Sequence, residues 1–412
     1  MAYRAVAEPV PVSEAFARED DAALQSQAAL LLTIGNLLRY RDPRFEEPSP
    51  PPPAVLTAEA EAAGEPAGEA PVLAEEDREA LAIPAELFAL SAARGARFDA
   101  QFIRERSRPD RGLTAAAAPR SSEAAAQTRE AAPRLAERLQ ETPADPVTAA
   151  ALVEVNLTSP DELVRVSAAA AFVEIALEHQ LEPAIAILVQ GTESDDPLVR
   201  EVAATGLAKV VPGHPALLRL MQPGGEVVEG EPAHTGLMVH GTFARQGRWW
   251  QPGGDFHTYI KTTSGVDPNL YAAPDRFAWS GGYSDAARAL AAIELLAWMR
   301  DRTFGCLDIF AHSHGASVAM LASKTADFGR MVLLSCPVHR RKYFPNFARV
   351  QKVVSIRVRA DLVILADGGG QRFRDPRITE IVLPIWFNHS ITHDPDTWDD
   401  QGLPGRIGAP IC

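Results

Sequence analysis

The clearest chemistry in the chain lies in Ile309-Phe310-Ala311-His312-Ser313-His314-Gly315-Ala316. A short apolar run ends, a serine follows with small residues two places before and after it, and an alanine-rich helical pattern begins. A turn that tight lifts the hydroxyl off the strand tip, and bulk at either flanking position would clash with the neighbouring strand and helix. The spacing is A-x-S-x-G where the general pattern has glycine first, and Ala311 is small enough to fit. Such a serine becomes a nucleophile when an imidazole takes its proton and a carboxylate orients that imidazole. The acid and the histidine should follow the serine in that order. Asp361, just past an apolar run, fits the acid, and Asp367, in a glycine-rich turn, is its rival. His389, next to the end of the last apolar run, and His393 compete for the base.

A second feature is Leu237-Met238-Val239-His240-Gly241-Thr242-Phe243, an apolar run that ends in His-Gly. Gly241 lets backbone approach a bound group with no Cβ in the way. Trp249, Trp250 and Tyr259 come next, either lining an acyl pocket or packing a long loop. His240, His312 and His314 do not read as a metal site, because one intervening residue at a strand end does not favour shared coordination. His312 is expected to pack against strands, and His314 to lend mainly its backbone N–H. The cationic stretch from His339 to Phe344 reads as a solvated loop.

These groups need a scaffold. Short apolar runs at 235–240, 276–279, 307–311, 331–335, 353–358 and 380–387 read as strands, with helical patterns at 285–300 and 314–324 between them. Strand–helix alternation predicts an α/β fold, a mostly parallel sheet covered on both faces. The polar stretch 225–233 leaves no room for further strands ahead of the first, so a reduced sheet of about six strands is expected.

The first half reads differently. Residues 21–41 suggest an amphipathic helix with Leu24, Leu31, Ile34 and Leu38 on one face, inside an N-terminal segment 1–42. Eight prolines between 43 and 71 mark 43–73 as a disordered linker. Residues 74–144 are helical and low in complexity, with Leu87, Leu90, Phe98 and Phe102 as the buried stripe of 75–106 and a loose alanine-rich stretch at 112–133. Then Asp161-Glu162-Leu163-Val164-Arg165 recurs 35 residues on as Asp196-Pro197-Leu198-Val199-Arg200, each followed by small residues. Each aspartate is a candidate N-cap, and helices near 147–157 and 181–191 supply the partners. This resembles a pair of HEAT-like repeats over 145–222. Two are too few to stand alone, so they should dock on the preceding helices, the C-terminal domain, or both.

Bulk properties exclude some functions. The chain has 412 residues, and a formal charge of −14 repels nucleic-acid backbones and anionic membranes. The apolar stretch 28–38 is too short to span a bilayer, which takes roughly 20 residues. Neither a secretion signal nor a disulfide framework is evident, since Cys306, Cys336 and Cys412 are the only cysteines. The expectation is a reducing, cytoplasmic location.

With these pieces in place, residues 234–412 resemble the α/β-hydrolase family, in particular bacterial lipase- and esterase-like members with HGT near the start and HSHG at the serine. Further matches are Phe277-Ala278-Trp279-Ser280-Gly281, Arg288, and the tail from His389 through His393 to Trp398. The resemblance implies Ser313 as nucleophile, Asp361 as acid and His389 as base. It implies oxyanion donors at His314 and at Thr242 or Phe243, with His240, Gly241, Trp249, Trp250 and Trp279 around the substrate. The implied reaction is hydrolysis of a carboxylic ester, small or lipid-like, without metal or organic cofactor; a thioester or amide would suit the same triad. The competing expectation is an interaction protein, whose repeats recruit a protein partner beside an inactive hydrolase domain.

Overall fold

The structure is a computed structural model describing residues 3–39, 72–93, 122–222, 236–272, 276–302 and 307–412. The first half contributes α1 (Val12–Ala15), α2 (Asp21–Leu37), α3 (Glu75–Ala80), α4 (Ser122–Glu141), α5 (Pro146–Asn156), α6 (Glu162–Ile175), α7 (Glu182–Gly191), α8 (Pro197–Ala208) and α9 (Pro215–Leu220). The second adds α10 (Asp255–Thr262), α11 (Asp285–Asp301), α12 (His314–Ala322), α13 (Leu362–Asp367), α14 (Pro395–Asp400) and α15 (Leu403–Ile407). No helix among the described residues is long and apolar enough to cross a membrane.

Five strands are present among the described residues: β1 (Gly236–Val239), β2 (Leu307–His312), β3 (Phe328–Leu334), β4 (Val350–Arg359) and β5 (Ile378–Trp386). They pair in chain order and every ladder is parallel. Side chains alternate between the two faces of a strand, and both faces are covered, as the near-continuous apolar runs require. Leu237, Val239, Ile309, Ala311, Met331 and Leu333 pack with Leu295 of α11 and Val318 of α12. Met238, Phe310, Val332 and Ile356 face the other way, with Phe256 of α10, Trp398 of α14 and Leu403 of α15.

The sixth expected strand is absent. Residues 276–279 form no ladder. Leu270 makes an isolated bridge to Gly236, and the Tyr271 N–H donates to the Gly236 carbonyl at 2.7 Å, so the outer edge of β1 is met there. The segment is held by a side chain instead: the Trp279 indole N–H donates to the His240 carbonyl at 2.8 Å. Its alternating buried residues, Phe277 and Trp279, give the inward pattern of a strand without the partner.

In the helical half, Asp161 caps α6 by accepting the Val164 N–H at 2.9 Å, and Asp196 caps α8 by accepting those of Leu198 and Val199. The repeat extends to side chains. Arg165 donates to the Ser159 carbonyl and Arg200 to that of Ser194, the same offset of 35 in each partner. Helix α2 is not amphipathic, because it is buried almost all round. Its Gly35 lies so close to α6 that a Cβ would sit 2.7 Å from the Ala171 Cα. Residues 75–106 are not one helix: α3 is followed by a 3-10 turn at Ala85–Ala93, with Leu87 and Leu90 buried. Phe98, Phe102, the linker over 43–71 and the start of 112–133 lie outside the described residues.

The helices dock on the sheet's C-terminal rim. One apolar cluster joins residues of α2 and α5 to α8 with Leu362, Leu365, Trp386 and Phe387. The Trp386 N–H also donates to the Val6 carbonyl at 2.7 Å, which covers the free edge of β5. The cysteines depart from expectation. Cys336 is a free buried thiol, but Cys412 is disulfide-bonded, and Cys306 lies outside the described residues.

Candidate active site

Backbone strain gathers where the strands end. Each strand is followed by a non-glycine residue of positive φ: Phe243 (58°), Ser313 (53°), Ser335 (44°), Ala360 (46°) and Phe387 (70°). Such conformations cost about 1–3 kcal/mol each and persist only where surroundings enforce them. The enforcement is visible. The Ser313 N–H donates to the Leu334 carbonyl at 2.8 Å, that of Ser335 to Ile356 at 2.9 Å and that of Phe387 to Arg359 at 2.9 Å.

Ser313 sits between β2 and α12 with φ 53° and ψ −132°. Its small neighbours have steric reasons. A Cβ on Gly241 would lie 2.7 Å from the Ser313 Cβ, and one on Gly315 would lie 2.8 Å from the Val239 carbonyl. The loop after β1 is therefore pressed against the serine and the first turn of α12. The expected oxyanion donors divide. The Phe243 N–H is already committed to the Gly281 carbonyl at 3.0 Å, so it is not free for a substrate. Among the described residues, the N–H groups of Thr242 and His314 have no hydrogen-bond acceptor.

His389 opens a 3-10 turn, His389–His393, directly after β5. Its Nδ1 lies 2.8 and 2.9 Å from the two carboxylate oxygens of Asp361. Asp361 is fixed in turn as the N-cap of α13, accepting the N–H groups of Val363 at 3.0 Å and Ile364 at 3.1 Å. Burial disfavours the imidazolium, but the charge and hydrogen bond of Asp361 outweigh it and raise the His389 pKa above its ordinary value. Ser313 is 6% exposed and His389 1%. The Ser313 hydroxyl makes no hydrogen bond to His389, so the expected serine–imidazole link is open in this state. Catalytic hydrogen bonds are often loose without substrate and tighten in the Michaelis complex.

The rival residues go elsewhere. His393 stacks face to face on Trp249, centroids 4.0 Å apart, and burial pushes its pKa down to about 3. Asp367 accepts from Tyr283 at 2.7 Å and lies 3.0 Å from His314 Nε2 and 2.7 Å from His339 Nε2. Burial and the nearby Arg288 guanidinium push His314 down to about 4. Burial opposes ionisation of Asp367, yet the two facing imidazoles hold its carboxyl well below the ordinary range.

The remaining predicted residues are core or near-core. His240 is fully buried between Trp250 and Trp279, at 4.6 and 5.7 Å, and burial pushes its pKa down to about 4. Trp249 edges onto His312 at 5.3 Å, and His312 in turn lies 4.7 Å from the His389 ring. The stretch after His339 is not merely solvated: Lys342 and Tyr343 both reach Asp285, which also pairs with Arg288.

His314, His339 and Asp367 offer three ligand atoms within 4.8 Å of one another. Arg288 Nη2 lies 3.5 Å from His314 Nε2, however, so a cation there would face a guanidinium. The trio reads as a hydrogen-bonded network. Sequence reasoning missed the His314 side chain, His339, Tyr283 and Glu201, whose Oε1 accepts from Ser390 at 3.2 Å. Only Glu201 left a signal, a charge at a position where the first repeat has Val166.

No family model and no curated protein matches the chain.

Proposed function

We propose that the chain is a serine hydrolase of α/β-hydrolase type, cleaving a carboxylic ester through Ser313, His389 and Asp361. The observation that carries this reading is the buried Asp361–His389 pair at 2.8 Å, on the same strand-end rim as the strained Ser313. His389, neutral and holding Nδ1–H toward Asp361, takes the Ser313 proton on Nε2 as the hydroxyl oxygen attacks the ester carbonyl carbon. The N–H groups of Thr242 and His314 receive the oxyanion, each worth about 3–4 kcal/mol of transition-state stabilisation. The imidazolium returns its proton to the leaving alkoxide as the carbon–oxygen bond breaks. Water, deprotonated by the same base, then frees Ser313 and releases the acid. The HEAT-like reading of α5 to α8 is supported by the matched caps and the matched arginine contacts, and it gives the helical half a frame for recruiting a protein partner.

The test is covalent. A fluorophosphonate probe is expected to label the full chain at Ser313, located by peptide mass, with no labelling of Ser313→Ala. Hydrolysis of p-nitrophenyl esters should vanish in the same variant while its melting curve stays cooperative. Labelling elsewhere, or turnover by Ser313→Ala, would overturn the proposal and favour an interaction protein with an inactive domain.

A further inference from the structure

We propose that Glu201, on the helical half, is a positioning residue for His389, holding through Ser390 the turn that carries the imidazole. The proposal rests on the serine-hydrolase reading above. The internal repeat makes Glu201 stand out. Its equivalent 35 residues earlier, Val166, is 1% exposed and packs in the helical core. A carboxylate in place of that apolar side chain gains nothing from the repeat's own packing, and its burial costs free energy unless it finds a partner.

The partner lies across the domain boundary. Helix α8 packs against α13, which Asp361 opens, and against the turn His389–His393. There the Ser390 hydroxyl donates to Glu201 Oε1 at 3.2 Å, while Oε2 is buried with no partner among the described residues. The Ser390 N–H donates to Asn388 Oδ1 at 3.1 Å, so the residue after the imidazole is tied on its backbone and on its side chain. Burial raises the Glu201 pKa above its ordinary value, opposed in part by the nearby His389. Without the Ser390 tie, the turn keeps its bond to Asp361 but loses the contact that holds it against the helical layer.

The experiment measures fluorophosphonate inactivation of the full chain, separating the maximal rate from probe affinity. Glu201→Ala and Ser390→Ala are each expected to slow the maximal rate about ten- to a hundredfold, as small misplacement of a catalytic group does, with affinity unchanged. The double variant should be no slower than the worse single, because both remove one hydrogen bond. Glu201→Gln, which keeps the acceptor oxygen, should restore most of the rate. Inactivation of Glu201→Ala at the wild-type rate, or losses that add in the double variant, would overturn the proposal. A wild-type chain that the probe never labels would instead sink the hydrolase reading beneath it.

Discussion

Two carboxylates stand at the two ends of one six-residue helix, and each holds histidine. Asp361 caps the N-terminus of α13 and meets His389 alone among the imidazoles. Asp367 ends the helix and meets His314, His339 and Tyr283. The aspartate–histidine bonds are nearly alike, at 2.8 and 3.0 Å, but the electrostatics are opposed. At His389 the carboxylate outweighs burial and favours the imidazolium. At His314 burial and Arg288 win, and the ring stays neutral near pH 7. A general base needs an imidazole able to hold a proton in the transition state. On the proposed hydrolase reading, the Asp361 end suits base chemistry and the Asp367 end suits scaffolding.

The largest expected effect breaks the comparison at its first member. Asp361→Asn should cut esterase kcat/KM by roughly ten-thousandfold, the scale seen when a triad acid is lost. The asparagine oxygen can still cap α13, so the melting temperature should move little. In the wild type, kcat/KM should climb with pH through one ionisation above 6.5, because the base works neutral and its pKa is raised. In the variant that limb should move to lower pH. A pH profile unchanged by the substitution would remove Asp361 from the catalytic unit.

The second member should fail in a different currency. Asp367→Asn takes one anion from the buried cluster around His314, His339 and Tyr283, while Arg288 keeps its pair with Asp285, and removing one partner of a buried charge cluster costs about 3–5 kcal/mol. The depressed Asp367 pKa gives stability that is full above the unfolded value near 3.9 and lost as pH falls through the folded value. The variant's denaturant midpoint should thus fall at neutral pH and converge on the wild type in acid. The folded fraction should still label at Ser313, within about tenfold of the wild-type rate. Loss of labelling here, with Asp361→Asn unaffected, would exchange the two roles.

These roles were only partly legible in the residues. The strand–turn–helix around Ser313 was legible, because an apolar run followed by small residues at 311 and 315 admits few other backbones. The choice between Asp361 and Asp367 was not, since both border the same short helix and the decision lies in which imidazole and which arginine face each. Position 276–279 misled because inward alternation reports burial and says nothing about a ladder partner. Helix α2 misled in the opposite sense. Its apolar face of Leu24, Leu31, Ile34 and Leu38 suggested an amphipathic helix, yet Gln25, Gln27 and Asn36 donate to the carbonyls of Arg4, Ala15 and Leu365 inside the protein.

The smallest expected effect concerns the other histidine of the same turn. His393 lies four residues past His389, is buried against Trp249 at an interplanar angle of 5°, and bonds neither aspartate. Burial pushes its pKa down to about 3, so the ring is neutral near pH 7 and poorly suited to hold a proton for Ser313. Its contribution is then the stack itself, which phenylalanine can reproduce. His393→Phe should shift stability by less than about 1.5 kcal/mol, as volume-conserving core exchanges do. Its rate of labelling at Ser313 should stay within about threefold of wild type, a loss too small for a transition-state contact. Were His393→Phe instead to lose as much rate as Asp361→Asn while remaining folded, the raised pKa of His389 would have no catalytic meaning, and the contrast between the two ends of α13 would describe stability alone.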